Sequence, residues 1–414
     1  MGKQQKVHHG REIGDTKSSH KRAKHSRSHT DKLEGESLLT RARWLRARAT
    51  NPQQLEEVQQ IVQSILQQSP EYSEDWTDTG TFLATLLLQS TTNDTQRNQI
   101  TTLLQERGFR YRLSEEALTQ SHLVPSATPL PHANAWDHML PPALFDKLSK
   151  TLSSESSFWT SHNYSDGSSG RPPSPYFSYV VPLTNSPTTV LMSIIDVIKR
   201  NIATTFPEVT NCSAAEWWCH CRPHSSGHQF HFDSDDEGRG GVRNPVASCV
   251  LNLTEGVGGE TLVTTQTVAA TSLMHDGWLC EGRRNRLLAF QGNLLHGVVP
   301  GAGTVAPSQS TDPKRITFMV AFWKKIRVQD DPNPGAARPF SRVQDEEWAR
   351  PLMEHYSPTE DADCTAQEAK NCFFQVPVWR DVDEKENERN RESLRYSRKH
   401  KVLPPYDSFF QFYT

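Results

Sequence analysis

Apolar residues recur at three- and four-residue spacing through the first third of the chain. Leu55, Val58, Ile61, Val62, Ile65 and Leu66 form one such stripe, the signature of a helix that buries a single face. Thr81 to Leu88 and Ile100 to Leu104 continue it, so residues 36–124 read as a helical region. A proline-rich hinge, Pro125 to Pro142, leads into a short helix over Ala143 to Leu152. Tyr176 to Val181, aromatic and β-branched, reads as a strand, and Leu191 to Ile202 as a helix with Ile194, Ile195 and Ile198 on one face. After Thr210 the texture changes. Glu216 to Arg222, Ser248 to Leu253, Glu260 to Thr267, Arg286 to Phe290 and Ile316 to Trp323 are short strands set between Gly, Asn and Asp turns. Strands of this kind without helices between them predict a double-sheet jelly roll. The fold class expected is α+β, a jelly-roll core over residues 125–330 with flanking helices. Residues 331–414 read as a C-terminal extension. In it Phe373 to Trp379 and Phe409 to Tyr413 are apolar enough to dock, and Asp381 to Lys401 is a solvated helix or tail.

Composition adjusts this picture at the ends. Only 35% of the residues are hydrophobic, below the usual globular share, so part of the chain is not packed core. Residues 1–35 hold Lys, Arg, His, Ser and Gly with almost nothing large and apolar, and are expected to be a disordered basic tail. Its cluster Lys21 to Arg27 reads first as a plain solvated tail, and second as a nuclear address or nucleic-acid arm. The formal net charge of -3 gives the whole chain no pull toward nucleic acid or anionic membrane. Seven cysteines without regular spacing favour a reducing compartment. No apolar stretch is long enough to span a bilayer and no secretory signal is visible, so the expected location is intracellular, cytoplasmic or nuclear.

The chemistry concentrates in the strand-rich part. His231 and Asp233 are two apart, and on an extended segment such residues point to one side. One imidazole and one carboxylate can then share a metal ion, and a distant His296 would complete a triangular face. Two histidines and a carboxylate with the opposite positions open suit non-haem Fe(II). Asp235 is also two residues from Asp233, so a second same-face pairing stays open, and a His-x-Asp triplet arises readily by chance among 17 histidines and 48 acids. Arg315 and Thr317 share one face of a later strand by the same alternation. The guanidinium fork suits a carboxylate, with the hydroxyl as a third donor. Lys314 competes for that role but falls on the opposite face if Arg315 points inward. In Trp217 to Arg222, Trp218, His220 and Arg222 share a face, and His220 and Arg222 would touch cosubstrate or substrate if that face lines the cavity. Cys219 and Cys221 point away from His220, which argues against zinc. His228, at odd spacing from His231, reads as a surface residue. Trp278 reads as core, and Asn285 lies in a segment that could border the cavity.

Taken together, His231-Phe-Asp233, Gly258-Gly-Glu-Thr261, a hydrophobic strand running into His296-Gly-Val298, Arg315-Ile-Thr317 and the aromatic strand end at Ala321-Phe-Trp323 resemble a known pattern. From about Pro141 to Arg327 the chain looks like the Fe(II)- and 2-oxoglutarate-dependent oxygenases, nearest the prolyl 4-hydroxylase-like branch. The resemblance implies a double-stranded β-helix in which His231, Asp233 and His296 bind iron, and Arg315 with Thr317 takes the far carboxylate of 2-oxoglutarate. It implies oxidative decarboxylation to succinate and carbon dioxide, with O2 as second cosubstrate, ascorbate as a candidate auxiliary, and hydroxylation of a substrate carbon. His220 joins the expected cofactor-binding residues. The loop between His296 and Arg315 is longer than is usual for the family. Prolyl hydroxylases often use Lys where this chain has Arg315, which weakens any transfer of their substrate, although the texture leans toward a protein side chain. The nucleic-acid demethylating members carry a second Arg where Ala321 stands. Three rivals stand beside this reading: a cupin-like metalloenzyme that does not use 2-oxoglutarate, a non-catalytic jelly-roll binding module, and an interaction protein for nucleic acid resting on the basic N-terminal tail. The expected partners are a substrate of unknown identity, no membrane, and nucleic acid through the basic tail alone.

Overall fold

Four helices come first: α1 (Leu38–Arg48), α2 (Pro52–Gln68), α3 (Glu74–Ser90) and α4 (Asp94–Gln105). Their starts are written locally. The side chains of Asn51 and Asn93 each accept the backbone N–H three residues on, and Pro52 fills the first turn of α2, where its missing N–H costs nothing. Then come β1 (Phe109–Leu113), α5 (Glu115–Thr119), β2 (Ala133–Asp137), α6 (Pro142–Thr151), α7 (Ser157–Ser161), β3 (Ser178–Pro182) and α8 (Val190–Ile202). The strand-rich part holds β4 (Ala214–Pro223), β5 (His228–His231), β6 (Ala247–Asn252), β7 (Thr261–Thr267), β8 (Asp276–Cys280), β9 (Leu287–Gln291), β10 (Leu294–Val298) and β11 (Lys314–Trp323). Last are β12 (Ala337–Pro339), α9 (Arg350–Met353), β13 (Gln367–Glu368), β14 (Phe373–Pro377), β15 (Trp379–Asp381) and β16 (Phe410–Phe412).

This computed structural model describes residues 38–382 and 410–412, apart from 70, 72–73, 91–92, 108, 121–122, 127–131, 165–176, 184–186, 236–242, 271, 306–312, 329–336 and 357–365. The basic N-terminal tail, the acids Asp236 and Glu237, and nearly all of the charged run toward Lys401 lie outside the described residues. Among the described residues no helix is long and apolar enough to cross a membrane.

The fold is mixed α and β with large antiparallel sheets. The larger has the order β12-β3-β4-β11-β6-β9-β2-β13, antiparallel throughout except for the parallel β12–β3 pair. The smaller runs β14-β8-β7-β10-β5, all antiparallel, and a third sheet joins β15, β1 and β16. Alternation along the strands decides what lies between and outside the two main sheets. In β11, Ile316, Phe318, Val320 and Phe322 face a core shared with α6, α8 and α9, whereas Met319, Ala321 and Trp323 face the opposite way with Trp218. In the smaller sheet Leu262, Leu279 and Leu295 face the N-terminal helices, and Val263, Trp278 and Leu294 meet Leu288 and Phe290 of the larger sheet. The order across the body is therefore helices, small sheet, large sheet, helices. Trp217 is fully buried among Phe158, Tyr179, Phe318 and Trp348, and burying each such ring contributes roughly 1.5–3 kcal/mol.

The five strands expected after Thr210 all form, as do the helices over α2, α6 and α8. The stretch read as a proline-rich hinge also carries β2, which pairs with β9. Its Ala-Asn-Ala sequence has little strand propensity of its own, and the neighbouring strand supplies what propensity lacks. Phe373 to Pro377 docks as expected, and does so as β14, an edge strand of the smaller sheet hydrogen-bonded to β8.

Candidate metal centre

Strands β5 and β10 lie side by side with His231 directly opposite His296. Phe232 turns into the core beneath the N-terminal helices, which leaves His231 and Asp233 on the other side with His296. Both imidazoles are held the same way. His231 Nδ1 donates to the Gln229 carbonyl at 2.9 Å and His296 Nδ1 to the Leu294 carbonyl at 3.0 Å. A carbonyl can only accept, so in each ring Nε2 keeps its lone pair. Those two nitrogens lie 3.5 and 3.8 Å from Asp233 Oδ1, and the three ligand atoms all fall within 4.8 Å of one another. Two ligands about 2.1 Å from one metal at right angles stand about 3 Å apart, so a small inward closure completes a facial triad. The other carboxylate oxygen is also held: Ser248, on β6 of the facing sheet, donates its hydroxyl to Asp233 Oδ2 at 2.5 Å.

The protonation states suit a metal. Burial would raise the Asp233 carboxyl, but His296, His231 and the Ser248 hydroxyl outweigh it and hold it down at about 2. Burial pushes His296 down to about 4. At neutral pH Asp233 is thus a carboxylate and His296 a neutral imidazole, the forms that ligate. His231 keeps 29% of its side chain exposed against 8% for His296, so the centre opens on the His231 side.

A second group of charges lies on the facing sheet. Arg315 of β11 stands opposite Arg222 of β4, and Thr317 opposite His220. Arg315 is buried, with Nη1 donating to the Gly258 carbonyl at 2.6 Å and Nη2 to the Ser226 carbonyl at 3.0 Å. Loss of hydration lowers its pKa to about 10, and among the described residues no carboxylate stands within ion-pair distance. Glu260, the nearest acid by its influence, is itself pushed up to about 7 by burial. Arg222 has a buried Nε without a hydrogen-bond partner. Two guanidiniums, one on carbonyls and the other over the Tyr164 ring, without a carboxylate at ion-pair distance among the described residues, are a place for an anion. The backbone makes room for this. Gly259 has φ +117°, and a Cβ there would lie 1.5 Å from Arg315 Nη1; the Gly-Gly turn is what lets the guanidinium through.

The structure thus brings His231, Asp233 and His296 together, and sets Arg315, Thr317 and His220 on one neighbouring face. Asp235 is engaged elsewhere, paired to Arg243 at 2.5 Å. Cys219 and Cys221 point away from His220 into the helix-covered core. Trp278 is core, and Asn285 uses its amide to tie down the Leu140 backbone. His228 corrects the expectation of a surface position: its ring lies 4.8 Å from His220 and 4.9 Å from His231. The cause is a bulge. Between the pairs His296–His231 and Val298–His228, β5 spends three residues where β10 spends two, which returns an odd-spaced residue to the same face. Ser248 and Tyr164 had no chemical signal in the sequence; Tyr164 places its hydroxyl 3.5 Å from His220 Nδ1 and accepts the Cys221 N–H.

No family model matches this chain, and no curated protein does. Solved structures similar to it include a prolyl-4-hydroxylase and a member of the 2OG-Fe(II) oxygenase family. A prolyl-4-hydroxylase from Pseudomonas putida matches 47% of this chain and 94% of its own at 15% identity and a TM-score of 0.29. A Burkholderia pseudomallei oxidoreductase of the 2OG-Fe(II) oxygenase family matches 60% and 97% at 11% identity and a TM-score of 0.27. HygX from Streptomyces hygroscopicus, solved with nickel and 2-oxoglutarate bound, matches 55% and 97% at 11% identity and a TM-score of 0.28.

Proposed function

We propose that this protein is an Fe(II)- and 2-oxoglutarate-dependent oxygenase on a double-stranded β-helix, hydroxylating a carbon of its substrate with release of succinate and carbon dioxide. One observation carries the reading. Two imidazole Nε2 atoms and one carboxylate lie within 4.8 Å of one another, and the buried His220 stands within electrostatic reach both of that group and of the buried Arg315, whose two hydrogen bonds go to carbonyls. His231, Asp233 and His296 would hold the iron, and Arg315 with Thr317 and His220 would receive the far carboxylate of 2-oxoglutarate. When bound, the metal and the keto acid supply the O2-activating chemistry that no side chain offers.

The chain's own part is positioning and exclusion of water. The Gln229 and Leu294 carbonyls fix which nitrogen of each histidine is free, and Ser248 fixes the Asp233 carboxylate. The Phe290 ring, 4.6 Å from His296, gives the centre an apolar wall that would keep bulk water away. No side chain is needed as acid or base. A protein side chain is the substrate class we put forward, as the prolyl hydroxylase-like pattern suggests. The reading predicts that iron-replete wild type converts 2-oxoglutarate to succinate and that His296→Ala does not. Succinate formed by His296→Ala at the wild-type rate would remove the ligand set.

A further inference from the structure

Helix α1 plants a guanidinium in the interior with no acid at ion-pair distance among the described residues. Arg46 is 2% exposed. Its Nη2 donates to the Gly301 carbonyl at 2.9 Å and to Gln89 Oε1 at 3.3 Å, while Nη1 is buried without a partner. Gln89 of α3 converges on the same loop, donating to the Pro300 and Gly301 carbonyls at 3.0 and 3.4 Å. Burying a guanidinium without a carboxylate is costly, so packing alone gives no reason to prefer Arg to Met or Leu here. What Arg46 adds is a grip on the loop at Gly301.

That loop connects to Arg315 in a few hydrogen bonds. The Gly301 N–H donates to the His224 carbonyl at 2.9 Å. His224 Nε2 donates to the Ala302 carbonyl at 3.0 Å, and its Nδ1 accepts the Gly258 N–H at 3.0 Å. One ring nitrogen must donate and the other accept, so His224 works as neutral imidazole, and burial, followed by the nearby Arg46 charge, holds it down at about 4. The Gly258 carbonyl then receives Arg315 Nη1 at 2.6 Å, and the Ser226 carbonyl, two residues beyond His224, receives Nη2 at 3.0 Å. The contacts have no slack: a Cβ on Gly258 would fall 2.7 Å from the His224 ring. At the far side the Val305 N–H donates to the Ala49 carbonyl at 2.8 Å, pinning the loop to the end of α1.

We propose that Arg46 and His224 are positioning residues that hold Arg315 in place for the far carboxylate of 2-oxoglutarate, so that the N-terminal helices set the affinity for the cosubstrate. The inference rests on Arg315 being the group that receives that carboxylate. It accounts for a buried arginine on a helix that carries no ligand, and for a histidine with both nitrogens spent on loop backbone. Neither residue touches the iron ligands.

The test is a calorimetric titration of 2-oxoglutarate into the full-length protein loaded with redox-inert Mn(II), for wild type, Arg46→Met, Arg46→Lys and His224→Gln. Mn(II) affinity in the absence of 2-oxoglutarate is measured alongside by electron paramagnetic resonance. Arg46→Met should bind 2-oxoglutarate about tenfold more weakly or worse, the scale on which partners that orient a binding group act. Arg46→Lys should recover part of the loss, because an ammonium can reach the Gly301 carbonyl but not Gln89 as well. Mn(II) affinity should not move, since the triad sits on β5 and β10. Should Arg46→Met fail to fold, His224→Gln carries the same expected tenfold loss. A folded Arg46→Met or His224→Gln that binds 2-oxoglutarate as wild type does overturns the proposal, and so does a variant that loses Mn(II) and 2-oxoglutarate in parallel, the mark of a merely structural role. Wild type that binds Mn(II) but no 2-oxoglutarate overturns the Arg315 reading itself, and this inference falls with it.

Discussion

Adding a single methyl group at Gly259 should disarm the proposed cosubstrate site while leaving the metal centre intact. Two costs separate in this position. Its φ of +117° lies where L side chains are strained, which costs on the order of 1–3 kcal/mol of stability. The new Cβ would also stand 1.5 Å from Arg315 Nη1, so the guanidinium must retreat by about 2 Å to reach ordinary contact. The bonds to the Gly258 and Ser226 carbonyls, at 2.6 and 3.0 Å, then stretch or break. A misplacement of even about 1 Å in a positioning group is worth about 100-fold, or ~2.7 kcal/mol. Gly259→Ala should therefore weaken 2-oxoglutarate binding about 100-fold with Fe(II) affinity unchanged. Gly256→Ala is the matched control, with φ +69° but nothing within 4 Å of its Cβ. It should lose comparable stability and keep its 2-oxoglutarate affinity. Anaerobic equilibrium titration of the two variants and wild type, with thermal melts, reads both effects. If Gly259→Ala binds 2-oxoglutarate as tightly as Gly256→Ala, Arg315 does not hold it.

Other single contacts carry expectations of their own. Ser248→Ala strips Asp233 Oδ2 of its donor and should weaken Fe(II) about tenfold in a direct metal titration, whereas an unchanged affinity would make the hydroxyl incidental. The Arg286 guanidinium, 3% exposed, is held by Asp137 at 2.7 and 3.0 Å; Asp137→Ala should destabilise the fold by about 3 kcal/mol in urea unfolding at pH 7, because it leaves a buried cation with weaker partners. The hydrogen bond from Arg286 holds the Asp137 carboxyl below the usual range. Its stability contribution is thus complete above the ordinary carboxylate pKa and is lost as pH falls through the lowered one. The gap between wild type and Asp137→Asn should accordingly narrow at acid pH, and a gap constant down to pH 2 would exclude the pair as its source.

The meeting of His231, Asp233 and His296 was legible because alternation along a strand is local information. Alternation places His231 with Asp233, and His296 closes a strand that obeys the same rule. That Arg315 and Thr317 share a face follows from the same rule. His228 was not legible, because an inserted residue in β5 reverses the parity on which the rule depends. Ser248 and His224 were hidden for a different reason. Their partners, Asp233 and Gly258, lie 15 and 34 residues away along the chain, in contacts made by the pairing and facing of sheets. Nothing in a serine or a histidine alone announces that. Strand β2 escaped because Ala and Asn carry little strand preference, and only its partner β9 makes it a strand. Arg46 is one of several arginines in α1, and only the packed loop at Gly301 shows it to be interior.

Whether this cavity holds iron and 2-oxoglutarate together is tested most directly by an anaerobic titration of the purified protein with Fe(II) and then 2-oxoglutarate. The readout is the visible charge-transfer band of a keto acid chelating iron. The expected result is a band that needs both additions, is absent in His296→Ala and weakens in Arg315→Ala. Iron demonstrably bound with no band on adding 2-oxoglutarate would contradict the proposed function and favour a metalloenzyme of another kind. No iron bound at all would leave a binding module.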